Sequence, residues 1–283
     1  MKWYAPYLET YERPLEQVSQ TVLQQVKEKI AAMQSDAPLA SVIAIAHNEE
    51  TRLLSCLHSL CDNSIDFPVE LLVINNNSTD GTEQLLRQLG VCYYNERQKG
   101  PGHARQCGLN HARGRYHLCI DSDTIYPPHY ISTMVHALQC KGVACAYGLW
   151  SFIPDERHSP FGLWLIETLR DCYLRLQQVK RPELNVRGMV FAFHTELGRK
   201  VGFRTDIIRG EDGSMALAMK PYGKLKLVTS RRARPITGNG TISQDGGLRG
   251  MFLRRAKKAL QGFAGLFVSK KHYEDSDDNL LAP

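Results

Sequence analysis

Short β-branched, apolar runs alternate with segments of helical periodicity between residues 39 and 121, and this alternation constrains the fold most strongly. The run "LASVIAIA" precedes "NEETRLLSCLHSL", whose leucine spacing predicts a helix that begins near Asn48. The strands "VELLVIN", "VCYYN" and "YHLCID" follow, with the helices "STDGTEQLLRQLG" and "HARQCGLNHARG" between them. Strands that alternate with helices of about 10 to 15 residues indicate an α/β fold, in which a doubly wound, largely parallel sheet has helices on both faces.

Polar clusters follow three of these predicted strands. "AHNEE" comes after the first strand, "NNNSTDGT" after the second and "DSD" after the fourth. Doubly wound sheets bind ligands beyond the carboxyl ends of their strands. We therefore expect the three clusters to lie along one crevice.

Asp121 and Asp123 stand one residue apart at the end of an apolar run. Two such carboxylates in an extended segment can point the same way, and they repel each other unless a cation or protons intervene. Oxygen ligands suit Mg²⁺ or Mn²⁺, and Mg²⁺ commonly completes its coordination with water and substrate phosphates. The D-x-D pair therefore indicates a divalent metal and a nucleoside diphosphate. The alternative is a solvated turn before "YPP".

The asparagine-rich stretch also has two interpretations. Asn77, Ser78 or Thr79 can cap the helix that follows. Alternatively, the amides of this stretch can bind the edge of a nucleobase, since each offers both a donor and an acceptor.

Four blocks of sequence carry a family resemblance. They are "SVIAIAHNEETRLLSCLHSL", "ELLVINNNSTDGT", "GHARQCGLNHARGRYHLCIDSDTIYPPHYI" and "VGFRTDIIRGEDGSMALAMKPYG". In this order they resemble the family 2 glycosyltransferases of the nucleotide-diphospho-sugar transferase (GT-A-type) fold. Four blocks in order are more specific than any single short motif.

The resemblance implies a role for each matching position. The residues implied to bind the nucleotide or sugar are Ala46, His47, Asn48, Glu49, Asn75, Asn76, Arg105 and Asp121. Asp123 would bind the Mn²⁺ or Mg²⁺ ion, and Asp212 would be the general base with Glu211 beside it. Ile45, His47 and Asn75 replace the Pro, Tyr and Asp that are common in the family, which leaves the identity of the nucleobase open.

Glycosyl transfer requires these groups, because the departing diphosphate must be neutralised and the acceptor hydroxyl must lose a proton. A base on the side of the sugar opposite the leaving group gives inversion. We therefore expect a metal-dependent, inverting glycosyltransferase that uses a UDP- or GDP-linked sugar. Its acceptor would be a hydroxyl of a glycan or a lipid-linked molecule, as in cell-surface polysaccharide or glycolipid synthesis.

Two other functions remain open at this stage. A nucleotidyltransferase can be built on a similar sheet, although no glycine-rich basic loop follows the first strand. The chain could also be a non-catalytic sugar- or nucleotide-binding subunit. The uncharged Asn75 favours this interpretation, whereas the presence of Asp121, Asp123 and Asp212 argues against it.

We divide the chain into a helical N-terminal extension over residues 1–38, a catalytic domain over 39–235, a basic amphipathic helix over 236–272 and an acidic tail over 273–283. The basic helix could lie on an anionic membrane through residues 246–271, or pack on the catalytic domain. No nucleic acid partner is expected, because no recognised binding module accompanies the net charge of +6.

Aromatic residues are concentrated between the D-x-D pair and Asp212. Trp150, Phe152 and Trp164 could stack against a sugar ring, contact a lipid or belong to the core.

The sequence contains no run of about 18 apolar residues, and residues 1–36 are too charged for a secretory signal. Eight cysteines lack C-x-x-C spacing, as is typical of buried thiols in a reducing compartment. We expect a cytoplasmic protein that can reach the inner face of the membrane.

Overall fold

The computed structural model describes residues 2–154, 159–238 and 279–280. The strands of this part of the chain are β1 (Ala40–Ala46), β2 (Val69–Asn76), β3 (Cys92–Glu96), β4 (Tyr116–Asp121), β5 (Thr124–Ile125), β6 (Val143–Gly148), β7 (Ser151–Phe152), β8 (Phe191–His194), β9 (Lys224–Val228) and β10 (Ile236–Thr237). Its α-helices are α1 (Ala5–Leu8), α2 (Gln20–Met33), α3 (Leu53–Cys61), α4 (Thr82–Leu89), α5 (Pro101–His111), α6 (Tyr130–Gln139), α7 (Pro160–Gln177), α8 (Thr195–Val201) and α9 (Glu211–Met219).

Seven strands form the central sheet, in the order β3-β2-β1-β4-β8-β6-β9. Neighbouring strands run parallel except at β8, which is antiparallel to both β4 and β6. A small second sheet has the order β5-β10-β7. The predicted α/β fold with a largely parallel sheet is confirmed, and β8 is the antiparallel exception within it.

Both faces of the sheet are covered, as the continuous apolar runs of its strands require. Val42 and Ala44 of β1 belong to a large hydrophobic cluster that includes Leu57 of α3. Ile43, between them in sequence, belongs to a separate cluster with Ala104 of α5. Successive residues of a strand point to opposite faces, so β1 is buried on both sides.

The N-terminal extension packs into the large cluster. Leu23, Val26 and Ile30 of α2 recur at helical spacing and are buried there, while Ser19 caps the helix by accepting a hydrogen bond from the Thr21 N–H.

Two boundaries differ from the sequence prediction. The helix predicted from Asn48 begins at Leu53, because Asn48 has a left-handed backbone (φ 57°) that a helix cannot continue. Helix α4 begins after Gly81 rather than after Asn77, Ser78 or Thr79, and the Asp80 carboxylate accepts the Thr82 N–H at 3.0 Å. The predicted stop at Gly90 is confirmed by its left-handed φ of 64°.

The C-terminal predictions fall largely outside the described residues. These are the basic helix over 236–272, its membrane contact through 246–271 and the acidic tail over 273–283. Within the described part, Ile236 and Thr237 form β10 and are not helical. None of the helices in the described ranges has the length and apolar content that crossing a bilayer requires.

Burial of His117 makes the stability of this sheet dependent on pH. His117 is 1% exposed on β4 and its ring stacks on that of Phe193 with centroids 4.6 Å apart. Burial, and then the charges of Arg105 and Arg199, lower its pKa to about 3. The unfolded chain takes up a proton near pH 6.5, so the stabilisation is complete above that pH and is lost as the pH falls towards 3.

We expect His117→Phe to lose less stability than the wild type on acidification. Between pH 7 and pH 5 the difference in the free energy of unfolding should be about 2 kcal/mol, because phenylalanine keeps a stacked ring but takes up no proton. Urea unfolding at both pH values measures this difference. Equal losses in the two proteins would contradict the prediction.

Candidate active site

A cleft of about 1160 Å³ opens at the carboxyl ends of β1, β2 and β4. Helix α5 and the start of α9 complete its walls. The predicted site residues that line it are Ala46, His47, Glu49, Asn76, Arg105, Asp121, Asp123, Glu211 and Asp212. Side chains from five separate segments of the sequence are thus brought together at one edge of the sheet.

Two predicted residues, Asn48 and Asn75, are absent from this lining. Asn48 turns its amide oxygen to the Thr79 N–H, 2.8 Å away, and so connects the loops that follow β1 and β2. Asn75 is 4% exposed and donates to the Asn95 side-chain oxygen of β3 at 2.8 Å. The Asn48 oxygen and the Asn75 nitrogen are thus bonded to the protein and support the rim of the cleft, whereas the Asn75 side-chain oxygen is buried without a hydrogen-bond partner among the described residues.

Asn76 lines the cleft but also holds the next loop in place. Its amide nitrogen donates to the Gln98 carbonyl at 2.7 Å, and its oxygen accepts the Gly100 N–H at 3.0 Å. The His47 Nδ1 atom lies 2.7 Å from the Asn76 carbonyl oxygen. These bonds fix the loop that leads into α5.

Arg105 connects the D-x-D strand to α9. It is 2% exposed, and its guanidinium donates to the Ile120 carbonyl at 2.9 Å and to the Asp121 carboxylate. Its Nε atom lies 3.6 Å from Asp212 Oδ1. Burial alone would lower the pKa of Arg105, but the charges of Asp121 and Asp212 raise it above its ordinary value. The guanidinium therefore stays charged and sets the relative positions of these two carboxylates.

Asp123 lies among other carboxylates in a largely buried part of the cleft. Burial, and then the charge of Asp121, raise its pKa, while a 3.0 Å hydrogen bond from the Thr124 hydroxyl and the charge of Arg52 oppose the rise. Glu49 pairs with Arg52, Nε to Oε2 at 2.9 Å, yet burial raises its pKa to about 7 with a contribution from Asp123. Carboxylates in such surroundings gain stability from a nearby cation.

The donor set fits a divalent ion held jointly with a ligand. No group of three or more His, Cys, Asp or Glu side chains among the described residues is arranged to hold a metal ion. Asp121 is already bound to Arg105, which leaves Asp123 as the carboxylate of the pair that can face an ion. One protein carboxylate with phosphate and water ligands is an arrangement that suits Mg²⁺.

Glu211 and Asp212 form a buried acidic pair at the first turn of α9, where exposures are 7% and 8%. Burial, and then the charge of Asp212, raise the pKa of Glu211 to about 8. Burial also raises the pKa of Asp212, but Arg105 and a hydrogen bond from Glu211 oppose that rise. Both acids therefore hold a proton more readily than an exposed carboxyl does, and Asp212 is the one that the Arg105 charge favours as a carboxylate.

Sequence reasoning missed two residues of this region. Tyr11, from the N-terminal extension, donates its hydroxyl to the Asp123 carbonyl at 3.1 Å. Gly188 lies against the Arg105 guanidinium and the Asp212 carboxylate. Tyr11 precedes the blocks of family resemblance and Gly188 belongs to no motif, so no local signal marked either one.

Gly188 should tolerate no side chain. A Cβ atom there would overlap the Arg105 guanidinium and lie 2.8 Å from Asp212 Oδ2, and Arg105 is too buried to move away freely. We expect Gly188→Ala to lower sugar transfer by at least about tenfold and to cost about 1 to 3 kcal/mol of stability. Initial rates and thermal unfolding would measure the two effects.

Gly148→Ala is the matched control, because the nearest atoms to a Cβ there are at an ordinary 3.6 Å. A Gly188→Ala variant with the activity and stability of that control would show that Arg105 is not confined as the structure indicates.

Comparisons with known proteins bear on the family and the fold. Residues 41–197 match the family model described as glycosyl transferase family 2. The chain is 27% identical over 113 residues to the Escherichia coli protein WfaP, named as a UDP-Glc:alpha-D-GlcNAc-diphosphoundecaprenol beta-1,3-glucosyltransferase. It is 34% identical over 126 residues to TuaG of Bacillus subtilis, named as a putative teichuronic acid biosynthesis glycosyltransferase. These alignments cover 38% and 42% of this chain, and 45% and 49% of the respective relatives.

Among solved structures, the mannosyltransferase PcManGT of Pyrobaculum calidifontis, in complex with GDP-Man and Mn²⁺, superposes with a TM-score of 0.57. The identity is 20%, and the superposition covers 89% of this chain and 74% of that one. At this identity the likeness concerns the fold.

Proposed function

Because the chain belongs to glycosyl transferase family 2 and has a GT-A-type fold, we propose that it is a metal-dependent, inverting enzyme. In this proposal it moves a sugar from a nucleotide diphosphate to a hydroxyl acceptor. The observation that carries the proposal is the buried Arg105, which places Asp121 and Asp212 on either side of one guanidinium in the cleft that Asp123 also lines. Carboxylates with raised pKa values beside a specific charge partner in a cleft are typical of functional sites.

The donor in this proposal is a UDP- or GDP-linked sugar. The name of WfaP specifies UDP-Glc, and PcManGT was solved with GDP-Man and Mn²⁺. The cleft is large enough for a ligand of this size. The acceptor we propose is a glycan or lipid-linked hydroxyl in cell-surface polysaccharide synthesis, as the names of WfaP and TuaG suggest.

Asp123 would hold the Mn²⁺ or Mg²⁺ ion, which, when bound, neutralises charge on the departing diphosphate. The Asp212 carboxylate accepts the proton of the acceptor hydroxyl as that oxygen bonds to the anomeric carbon of the sugar. The bond from that carbon to the diphosphate breaks at the same time, and attack from the opposite side inverts the configuration. Arg105 and a hydrogen bond from Glu211 favour the charged form of Asp212 and help to hold it in position.

Residues 39–235 form the catalytic domain in this proposal. The extension over 1–38 contributes to it through Tyr11, which fixes the backbone of Asp123.

Calorimetric titration of the full chain with UDP, GDP, CDP and dTDP, each with and without Mn²⁺, tests the proposal. We expect one nucleotide to bind in a metal-dependent manner, and the matching nucleotide sugars can then be screened for transfer. A folded protein that binds none of the four would refute the proposed reaction.

A further inference from the structure

Helix α7 turns three charged side chains, Glu167, Arg170 and Asp171, towards the protein, while several of its large apolar side chains face outwards. Arg234 donates to the Asp171 carboxylate at 2.6 Å and to the Glu167 carboxylate at 3.1 Å. Arg170 is 6% exposed, donates to Asp171 and lies over the Trp150 ring at 4.3 Å from its centroid. A helix on the surface of a water-soluble domain usually has the reverse arrangement.

The outward face of α7 and the turn after it expose large apolar side chains at spacings of three and four residues. Their exposed fractions are 70% for Phe161, 56% for Trp164, 42% for Leu165, 47% for Leu169, 74% for Leu176 and 76% for Val179. We call this set the α7 face. Monomeric proteins rarely expose so continuous an apolar stripe unless it contacts a partner or a membrane.

Among the described residues, the exposed charges near the C-terminal end of the α7 face are basic. Arg175 and Lys180 are exposed there. Lys220 donates to the Lys180 carbonyl at 3.4 Å, but its amine is also paired with the buried Glu183 carboxylate at 3.6 Å, so two cations remain without an acidic partner. Both acids of α7, Glu167 and Asp171, are bound to Arg234. Within Pro160–Gln177, therefore, no carboxylate is left unpaired on the outside.

We propose that the α7 face docks on an anionic lipid bilayer. Apolar side chains on one side of a helix enter the boundary between headgroups and acyl chains, and tryptophan favours that depth. Arg175 and Lys180 would meet the lipid phosphates. A second copy of the chain fits less well, because its α7 face carries the same cations and no free carboxylate to pair with them.

This inference rests on α7 and its neighbours and does not depend on the proposed reaction. If that reaction is correct, the docked face keeps the cleft near the bilayer, since the turn Pro182–Asn185 contacts both α7 and α9. A lipid-linked acceptor would then be within reach of the site.

Trp164 can report on the docking directly. The sequence contains three tryptophans, Trp3, Trp150 and Trp164, so a Trp3→Phe, Trp150→Phe variant of the full chain leaves Trp164 as the sole fluorophore. We expect its emission to shift to shorter wavelength with vesicles that contain phosphatidylglycerol, and to be quenched by brominated acyl chains. Vesicles of phosphatidylcholine alone should give a much smaller effect.

Substitutions on the α7 face distinguish vesicle binding through this surface from binding through other parts of the chain. Arg175→Gln should weaken partition onto phosphatidylglycerol vesicles about fivefold. Leu165→Gln with Leu169→Gln should weaken it further, through the loss of apolar burial. Tyr94→Gln is the matched control, because Tyr94 is a 37% exposed aromatic on β3 at the far edge of the central sheet, and it should change nothing. Circular dichroism would verify that each variant folds.

Three results would overturn the proposal. Vesicle binding that leaves Trp164 unquenched would place the lipid contact on another part of the chain. Protection of Trp164 from acrylamide without vesicles, lost on dilution, would identify a second copy as the occupant. The same protection at every concentration would mean that another segment of this chain covers the face.

Discussion

Asp212→Asn should slow sugar transfer by about 10²- to 10⁴-fold and leave nucleotide binding nearly unchanged. The amide has the shape of the carboxylate but cannot take the proton of the acceptor hydroxyl. Arg105 should stay in place, because its bonds to Asp121 and to the Ile120 carbonyl remain. Initial rates with the identified donor and calorimetry with the matching nucleotide would separate the two effects.

Glu211→Gln is the matched control for this prediction. Glutamine donates a hydrogen bond as the protonated Glu211 does, so we expect much of the activity to remain. Wild-type activity should fall above about pH 8, where Glu211 ionises beside Asp212, and this fall should be absent from the Glu211→Gln variant. If Glu211→Gln abolished transfer while Asp212→Asn preserved it, the roles of the two acids would have to be exchanged.

Strand positions in the first half of the chain could be predicted because each strand is encoded locally. β1 and β2 are mostly apolar, and their burial on both faces leaves little freedom in register or length. The antiparallel β8 was not predicted, because "FAFH" is too short to show a direction and its partners, β4 and β6, come from elsewhere in the sequence. Its place is decided by tertiary contacts.

The sequence predicts that the site residues lie together, but it does not predict which side chains and backbone groups each of them contacts. The rule for strand ends places the D-x-D pair near the loops after β1 and β2 without any knowledge of side-chain contacts. Arg105 was expected near the base or the diphosphate, whereas the structure buries it between Asp121 and Asp212, which are far apart in the sequence. Asn48 and Asn75 were assigned by position, yet their amides bind the neighbouring loop and strand.

Asp123→Ala should abolish metal-dependent nucleotide binding and, with it, sugar transfer. Asp123 is the carboxylate of the D-x-D pair that remains available to an ion, because Asp121 is bound to Arg105. Removing an outer-shell partner of a metal commonly costs about 10- to 100-fold in affinity, so losing a direct ligand should cost at least about 100-fold. Calorimetry with the cognate nucleotide and Mn²⁺ measures the affinity, and electron paramagnetic resonance of free Mn²⁺ measures ion binding independently of turnover.

Stability distinguishes the loss of a ligand from the loss of the fold. Without metal, Asp123→Ala should be at least as stable as the wild type, because burial and Asp121 already disfavour the charged carboxylate that the substitution removes. Asp206→Ala is the control within the same cleft, since the charge of Asp206 is already balanced by Arg204 at 2.6 Å.

If Asp123→Ala does not fold, Asp123→Asn can be tested in its place, because asparagine keeps the shape of the side chain. Metal-dependent binding that survives in a folded Asp123→Ala protein would show that the ion, if it binds, is held elsewhere in the cleft.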